Sequence, residues 1–308
     1  MPHHAEVEVV LARLRAMTPM RVLRPADNVF AFYDGRVEGY RYAPERNWVD
    51  EGALTLGIAS YAIVAGVQAV VYDTHVSVEH AALIREALEA EGVTDFTVVF
   101  SHCHLDHVAG TAAFRDCDVI GCERTAEQLT EKRAAIEQGT LAGPPAIDPL
   151  VLPTRVFSDR MRLQVGAAEV ELIHTDIHSD DATVAWLPDQ RLLLCGDTME
   201  DTVTYVSDPE KLETHLANLD ELRALGPARI LPNHGDPDVI ASGGYPPELI
   251  GATQEYLRAL LRSSTDPTLR ELPLRDLIAE SLSTGALYYF APYEEVHLAN
   301  LNNALGRG

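Results

Sequence analysis

Ser101-His102-Cys103-His104-Leu105-Asp106-His107 follows the apolar segment Val98-Val99-Phe100 and decides how the rest of the chain is read. His102, His104, Asp106 and His107 fall within six positions, and each can bind a metal. A strand that ends just before this run delivers His102 and His104 to one side by its alternation. Asp106 and His107, on the following turn, then face a second position beside them. Imidazole and carboxylate together suit zinc, with Mn2+ or Fe2+ as further options. A lone histidine is most often a core residue satisfied by hydrogen bonds, whereas a cluster this dense points to chemistry. Cys103 sits between two candidate ligands and by the same alternation points away from them.

Outward from the run, the chain alternates strands and helices. Asn28 to Tyr33 reads as a strand before the turn pair Asp34-Gly35. Residues 37–50 carry Tyr40, Tyr42 and Trp48 with no clean period, which fits either a flap over a site or anchoring in the core. Residues 53–73 are nearly continuous apolar strand sequence broken at Gly57 and Gly66. Ser77 caps a helix with Ala81, Leu83, Ile84, Ala87 and Leu88 on one face and Gly92 at its close. Beyond the histidines, the pattern predicts helix over 109–114 and 124–136, and a proline-rich surface connection over 137–154. Hairpins follow about Gly166-Ala167 and Pro188-Asp189, then a helix from Pro209 to Leu225 and a strand Arg229-Ile230-Leu231. A short helix over 5–16 and three near 247–262, 273–282 and 293–305 complete the reading.

An internal echo links the halves. The first runs apolar strand, Asp73-Thr74, helix, apolar strand, Ser101-His102; the second runs apolar strand, Asp197-Thr198, helix, apolar strand, Asn233-His234. Stacking two such units sheet to sheet gives an α/β fold of four layers, with candidate ligands from both halves meeting at the strand ends.

Composition narrows the partners. The 308 residues, 46% apolar and 23% charged, are those of a globular protein with a substantial core. Its 24 basic against 47 acidic residues give a net charge of −23, which repels phosphate backbones and anionic membrane surfaces. The expected partner is a small-molecule substrate, not nucleic acid or a membrane, and a homo-oligomer is compatible with this surface. The first residues lack a cationic start with an apolar core, and no apolar run reaches the ~18 residues of a membrane span. A soluble, cytoplasmic protein is therefore expected. Four cysteines without a Cys-x-x-Cys pair are too few for a disulfide framework.

Three further ligand-type residues stand directly after strands: His178, Asp197 and His234. In order and placement the whole set resembles the metallo-β-lactamase superfamily of metal-dependent hydrolases, over roughly residues 28–240. The resemblance implies a four-layer αββα sandwich, with a catalytic domain over 1–240 and a C-terminal helical extension over 241–308 packed on it. It implies His102, His104 and His178 around one metal, Asp106, His107 and His234 around a second, and Asp197 shared. Asp176-Ile177 stand where the family commonly has Pro-Gly, and Asp197 occupies the place of the cysteine ligand of authentic β-lactamases. Asp73, by its echo of Asp197, is a candidate to orient a ligand histidine or to cap a strand end. Asp180 and Asp181, following His178, are candidates to orient a ligand histidine or to cap a turn. His174 reads as structural, and His3, His4, His75, His80 and His215 are not expected to bind metal. His297, Tyr288, Tyr289 and Tyr293 line the pocket mouth or pack in the core.

Neither a Gly-x-Ser-x-Gly elbow nor a cysteine beside a base stands out, so water is the expected nucleophile. The resemblance implies two Zn2+ ions, about 3.5–4 Å apart in such sites, that supply a metal-bound hydroxide. Asp106 is the catalytic candidate, accepting a hydrogen bond from that hydroxide. A small-molecule ester, lactone or amide is the expected substrate. Two rivals remain at this stage: a mononuclear iron, persulfide dioxygenase-like enzyme, which needs fewer ligands than are present, and an inactive binding scaffold, which normally loses ligands. Substrate choice is assigned to segments 36–52 and 137–156 and to the C-terminal helices.

Overall fold

The computed structural model describes residues 18–306, so the helix expected over 5–16, with His3 and His4, lies outside the described residues. Seven strands pair in chain order into one sheet: β1 (Arg21–Ala26), β2 (Val29–Asp34), β3 (Ile58–Ala65), β4 (Gln68–Tyr72), β5 (Asp95–Val99), β6 (Asp118–Cys122) and β7 (Arg155–Phe157). Five more, β8 (Arg160–Val165), β9 (Ala168–Ile177), β10 (Ser179–Leu187), β11 (Leu192–Gly196) and β12 (Arg229–Pro232), form a second sheet in the order β12-β11-β10-β9-β8.

Strand alternation sorts the two cores. Along β2, Val29, Ala31 and Tyr33 enter the core shared with the second sheet, while Phe30 and Phe32 face the opposite side. There they meet α1 (Val78–Ala90) through Leu83, Ile84 and Leu88, and α3 (Glu123–Glu137) through Leu129 and Ile136. Between these helices, in chain order, lies the short α2 (Leu105–Val108). Ser77 caps α1 by accepting from the His80 amide, and Gly92 takes the left-handed φ that closes it. The second sheet is covered by α4 (Leu212–Ala224), preceded by a turn at Pro209–Lys211, and by later helices.

After β12 come α5 (Pro237–Ala241), α6 (Glu248–Ser263), α7 (Leu274–Leu277), α8 (Ala279–Thr284) and α9 (Tyr293–Ala304). Leu249, Tyr256, Leu260, Tyr293 and Leu301 belong to the same buried cluster as the inter-sheet residues, so among the described residues these helices share the inter-sheet core. Tyr33, Tyr61 and Tyr72 reach across from the first sheet and donate to the carbonyls of Gly235, Pro232 and Thr183. Each buries a ring without stranding its hydroxyl.

Three details differ from the sequence pattern, the first being that the helix expected near 273–282 is two short ones, α7 and α8, parted at Ile278. Helix begins at Leu105 rather than Ala109, and the 109–114 stretch contains only a tight turn at Thr111–Phe114, with Gly110 packed against Thr74 and Ala81 where a side chain would not fit. The segment after Arg36 ends in a wide-turn helix, Val49–Leu54. Tyr40, Tyr42 and Trp48 pack on its Val49, Ala53 and Leu54, which selects core anchoring over a free flap.

What matters for the site is direction. Strands β4 and β5 are parallel, as are β11 and β12, so each pair with its crossover helix ends both strands on the same side. Residues placed just beyond those four ends converge.

Candidate metal centre

The four parallel strand ends carry Asp73, Ser101-His102, Asp197 and Asn233-His234, and the β9–β10 hairpin adds His178 at its tip. With Asp176-Ile177 in place of Pro-Gly, the hairpin turns with His178 itself at a positive φ of 71°. Gly196 lets the halves meet: a Cβ there would stand 3.0 Å from Ser101 Cβ and from Tyr72 Oη.

All seven residues singled out from the sequence come together. Ligand-type atoms of His102, His104, His178 and Asp197 lie within 4.8 Å of one another, as do those of Asp106, His107 and His234. Asp197 Oδ2 faces both groups. It lies 3.6 Å from His102 Nε2, 3.8 Å from His178 Nε2, 3.1 Å from His107 Nε2 and 3.4 Å from His234 Nε2. Asp106 Oδ2 lies 3.2 Å from His234 Nε2, and His104 Nδ1 lies 3.1 Å from His178 Nε2.

The far side of most rings is fixed. His178 Nδ1 donates to the Tyr205 carbonyl at 3.1 Å, and His234 Nδ1 to the Gly57 carbonyl at 2.7 Å. His107 Nδ1 pairs with Asp73 Oδ2 at 2.9 Å, and His102 Nδ1 with Ser101 Oγ at 2.9 Å. Such partners hold a histidine in the tautomer that leaves Nε2 free as a ligand. Asp73 also accepts from the Ser101 amide at 2.7 Å, so it both orients a histidine and caps a strand end.

The donor set fits a divalent cation. His102 Nε2 and Asp197 Oδ1 are buried without a hydrogen-bond partner, a costly arrangement that a metal ion would satisfy. The electrostatics agree. Burial opposes protonation of His107, yet Asp197, Asp106 and Asp73 hold it well above the usual histidine range. His234 is raised in the same way, against burial, by Asp197 and Asp106. Protons thus gather where positive charge is in demand. Burial instead pushes His102 well down and His178 down to about 3, leaving both neutral as ligands must be.

Other candidates fall elsewhere. His174 Nε2 bonds to the Asp180 carbonyl at 3.0 Å, while Asp180 accepts from Arg124 and Gln128 and Asp181 from Ser179, so neither acid orients His178. Cys103 points to Gln128. His80 pairs with Asp34 at 3.1 Å, and His75 stacks on His80 at 4.7 Å. Tyr293 and His297 are buried, and Tyr288 is half exposed.

A cavity of about 250 Å³ opens over the cluster, lined by His104, Asp106, His178, Asp197 and His234 and rimmed by Glu51, Glu200 and Glu295. Glu200 escaped the sequence reading. It is buried, accepts from the Tyr205 amide at 3.2 Å and the Tyr293 hydroxyl at 3.0 Å, and burial, helped by Asp197, pushes its carboxyl up to about 8.

Fold and cluster together define a four-layer α/β protein with a cluster suited to a divalent metal. Residues 54–234 match the family model described as metallo-beta-lactamase superfamily, and the chain belongs to that superfamily. Among curated relatives, it is 25% identical over 182 residues to a linear primary-alkylsulfatase of Pseudomonas sp. (strain ATCC 19151), covering 46% of this chain and 34% of that protein. The chain thus spans about a third of that relative. It is 24% identical over 255 residues to a beta-lactamase-like protein 2 homolog of Caenorhabditis elegans, covering 82% of this chain and 78% of the relative. Among solved structures, VMB-1 superposes with a TM-score of 0.57 at 18% identity, covering 76% of this chain and 94% of that one. A metallo-beta-lactamase from Pontibacter korlensis gives 0.54 at 17% identity, covering 75% and 99%. These likenesses establish the shared fold. Among the described residues no helix is long and apolar enough to cross a membrane.

Proposed function

We propose that the protein is a metal-dependent hydrolase, most simply a two-zinc enzyme, that cleaves a small-molecule ester, lactone or amide. The observation that carries the reading is the sharing of Asp197 Oδ2 between two groups of strand-tip ligands, with His102 Nε2 and Asp197 Oδ1 left without any other partner. His102, His104 and His178 would hold one ion, Asp106, His107 and His234 the other, and Asp197 both. The bound metal supplies a water of lowered pKa and polarises the scissile group.

The chain's own groups do the rest. Asp106 faces the cavity and accepts a hydrogen bond from the attacking water, fixing the direction of its lone pair. Asp73 and the carbonyls of Tyr205 and Gly57 keep the histidine rings from turning. The alkylsulfatase likeness makes a sulfate ester the natural competitor. Against it stand Glu51 and Glu295 and the lack of any Arg or Lys among the described residues lining this cavity, although Glu51 also pairs with Arg46. Such a rim disfavours an anion and accepts neutral or cationic groups.

Elemental analysis of the purified protein, with a panel of aryl ester, lactone, thioester, amide, β-lactam, phosphodiester and alkyl sulfate substrates, tests the proposal. Zinc near two per chain and chelator-sensitive cleavage of a carboxyl ester, lactone or amide are expected. One iron per chain would favour the sulfur-oxidising alternative instead, and sulfate ester cleavage alone would overturn the substrate assignment.

A further inference from the structure

A second cavity, of about 240 Å³, lies beside the one over the cluster and shares Gly52, His104 and Asp106 with it. Its character is different. Trp48, Ala53, Leu105, Leu141 and Ala142 form its wall. The polar groups that border it already have partners: Lys132 donates to Gln128, and so does Cys103. Beyond the Lys132 ammonium and the candidate ligands His104 and Asp106, what a ligand meets is apolar surface, and Leu141, 44% exposed, presents it from the connection after α3.

The wall is also held in place. Trp48 donates through Nε1 to the Pro145 carbonyl at 3.0 Å and through its amide to the Pro144 carbonyl at 3.3 Å, which fastens the proline-rich connection to the start of the wide-turn helix. Together the two cavities reach the size of an ordinary small-molecule site, roughly 300–1,000 Å³, with the candidate metal ligands at the join. A ligand spanning both would have one arm among carboxylates and the other among apolar side chains.

We propose that the second cavity takes an apolar acyl arm, so that the substrate is an ester, lactone or amide of an alkyl or aryl carboxylic acid. This rests on the hydrolase reading above. Hydrolysis joins the water oxygen to the acyl carbon, breaks that carbon's bond to the leaving oxygen or nitrogen, and passes the water's proton to the leaving atom. The acyl arm departs as a carboxylate, the acid's remaining proton passing to solvent, and Glu51 and Glu295 of the neighbouring rim repel it.

The test is binding of n-alkyl hydroxamates, acetyl to hexanoyl, to the metal-loaded full chain by calorimetry. Affinity should rise about two- to fourfold for each added methylene, up to the factor that full burial of one methylene gives. Leu141→Asp should flatten this gradient, and Val67→Asp, an exposed apolar side chain far from the cavity, should keep it. A flat series with tight acetohydroxamate binding, or a gradient that Leu141→Asp leaves intact, overturns the acyl-arm assignment while the metal centre stands. Failure of every hydroxamate to bind overturns the hydrolase reading, and the acyl arm with it.

Discussion

The two halves of the sandwich put an aspartate at the same place and use it differently. Asp73 ends β4 and Asp197 ends β11, each before a Thr, a crossover helix and a parallel strand whose tip carries a histidine. Asp73 is fully engaged: the Ser101 amide, His107 Nδ1 and Asn233 Nδ2 all reach it. Asp197 has histidines along one oxygen and nothing on the other. A carboxylate with its donors supplied by the protein is a support, whereas one left short of donors in a buried site waits for a cation. Position in the fold therefore sets the direction of the side chain, and its surroundings set the role.

Asp197→Asn breaks the comparison most severely. An amide binds metal weakly, and losing the shared ligand should cost several kcal/mol of transition-state stabilisation, about a thousandfold in kcat/KM. Metal content should fall in parallel. Near-normal turnover with full metal would show that Asp197 is no more a ligand than Asp73.

Asp73→Asn should do less. The amide can still accept from the Ser101 amide but no longer holds His107 as a carboxylate does, and loss of such a partner costs about 10–100-fold in metal affinity or activity. Competition with a chromogenic chelator would measure it. An effect as large as that of Asp197→Asn would place both aspartates in the cage.

Three residues further along, Val76 and Glu200 sharpen the contrast. Val76 lies in the small apolar cluster under the wide-turn helix, and Glu200 lines the cavity with the Tyr205 amide and Tyr293 hydroxyl as donors. Glu200→Ala should strand both donors and cost about 1–3 kcal/mol in urea unfolding, with Glu200→Gln well below it because an amide oxygen still accepts. Equal losses would mean that charge, not hydrogen bonding, keeps the acid there.

Much of this was legible before the structure. Strand alternation and parallel βαβ geometry fix where a residue at a strand tip points, so His102, Asp197, His234 and even the supporting Asp73 could be read from their places after apolar runs. Glu200 could not, because nothing local shows that a helix more than ninety residues away will bring Tyr293 to its carboxylate. The apolar cavity was hidden for the same reason: Trp48 and Leu141 lie far apart in sequence, and the Trp48 bonds to the Pro144 and Pro145 carbonyls tie their segments together. Segment 36–52, without a clean period, lines both cavities, and the proline-rich 137–156 lines the apolar one, but which side chains they present depends on tertiary contacts.

The crossover helices extend the comparison away from the cluster. On α1, His80 is buried with Asp34 on one ring nitrogen and Ser77 on the other; on α4, His215 is buried with neither nitrogen partnered. Burial pushes His215 down to about 4, only partly opposed by Asp176. Unfolded, the same side chain titrates near ~6.5, so below that pH the unfolded chain binds a proton that the folded one refuses. Stability from this residue is complete above pH ~6.5 and is lost as pH falls toward 4, the loss reaching about 2–3 kcal/mol at pH ~4.5. His215→Leu cannot titrate, so its advantage over the wild type in urea unfolding should widen between pH 6.5 and 4.5. A constant difference across that window would mean that His215 finds a proton acceptor as His80 does, and the two helices would no longer differ.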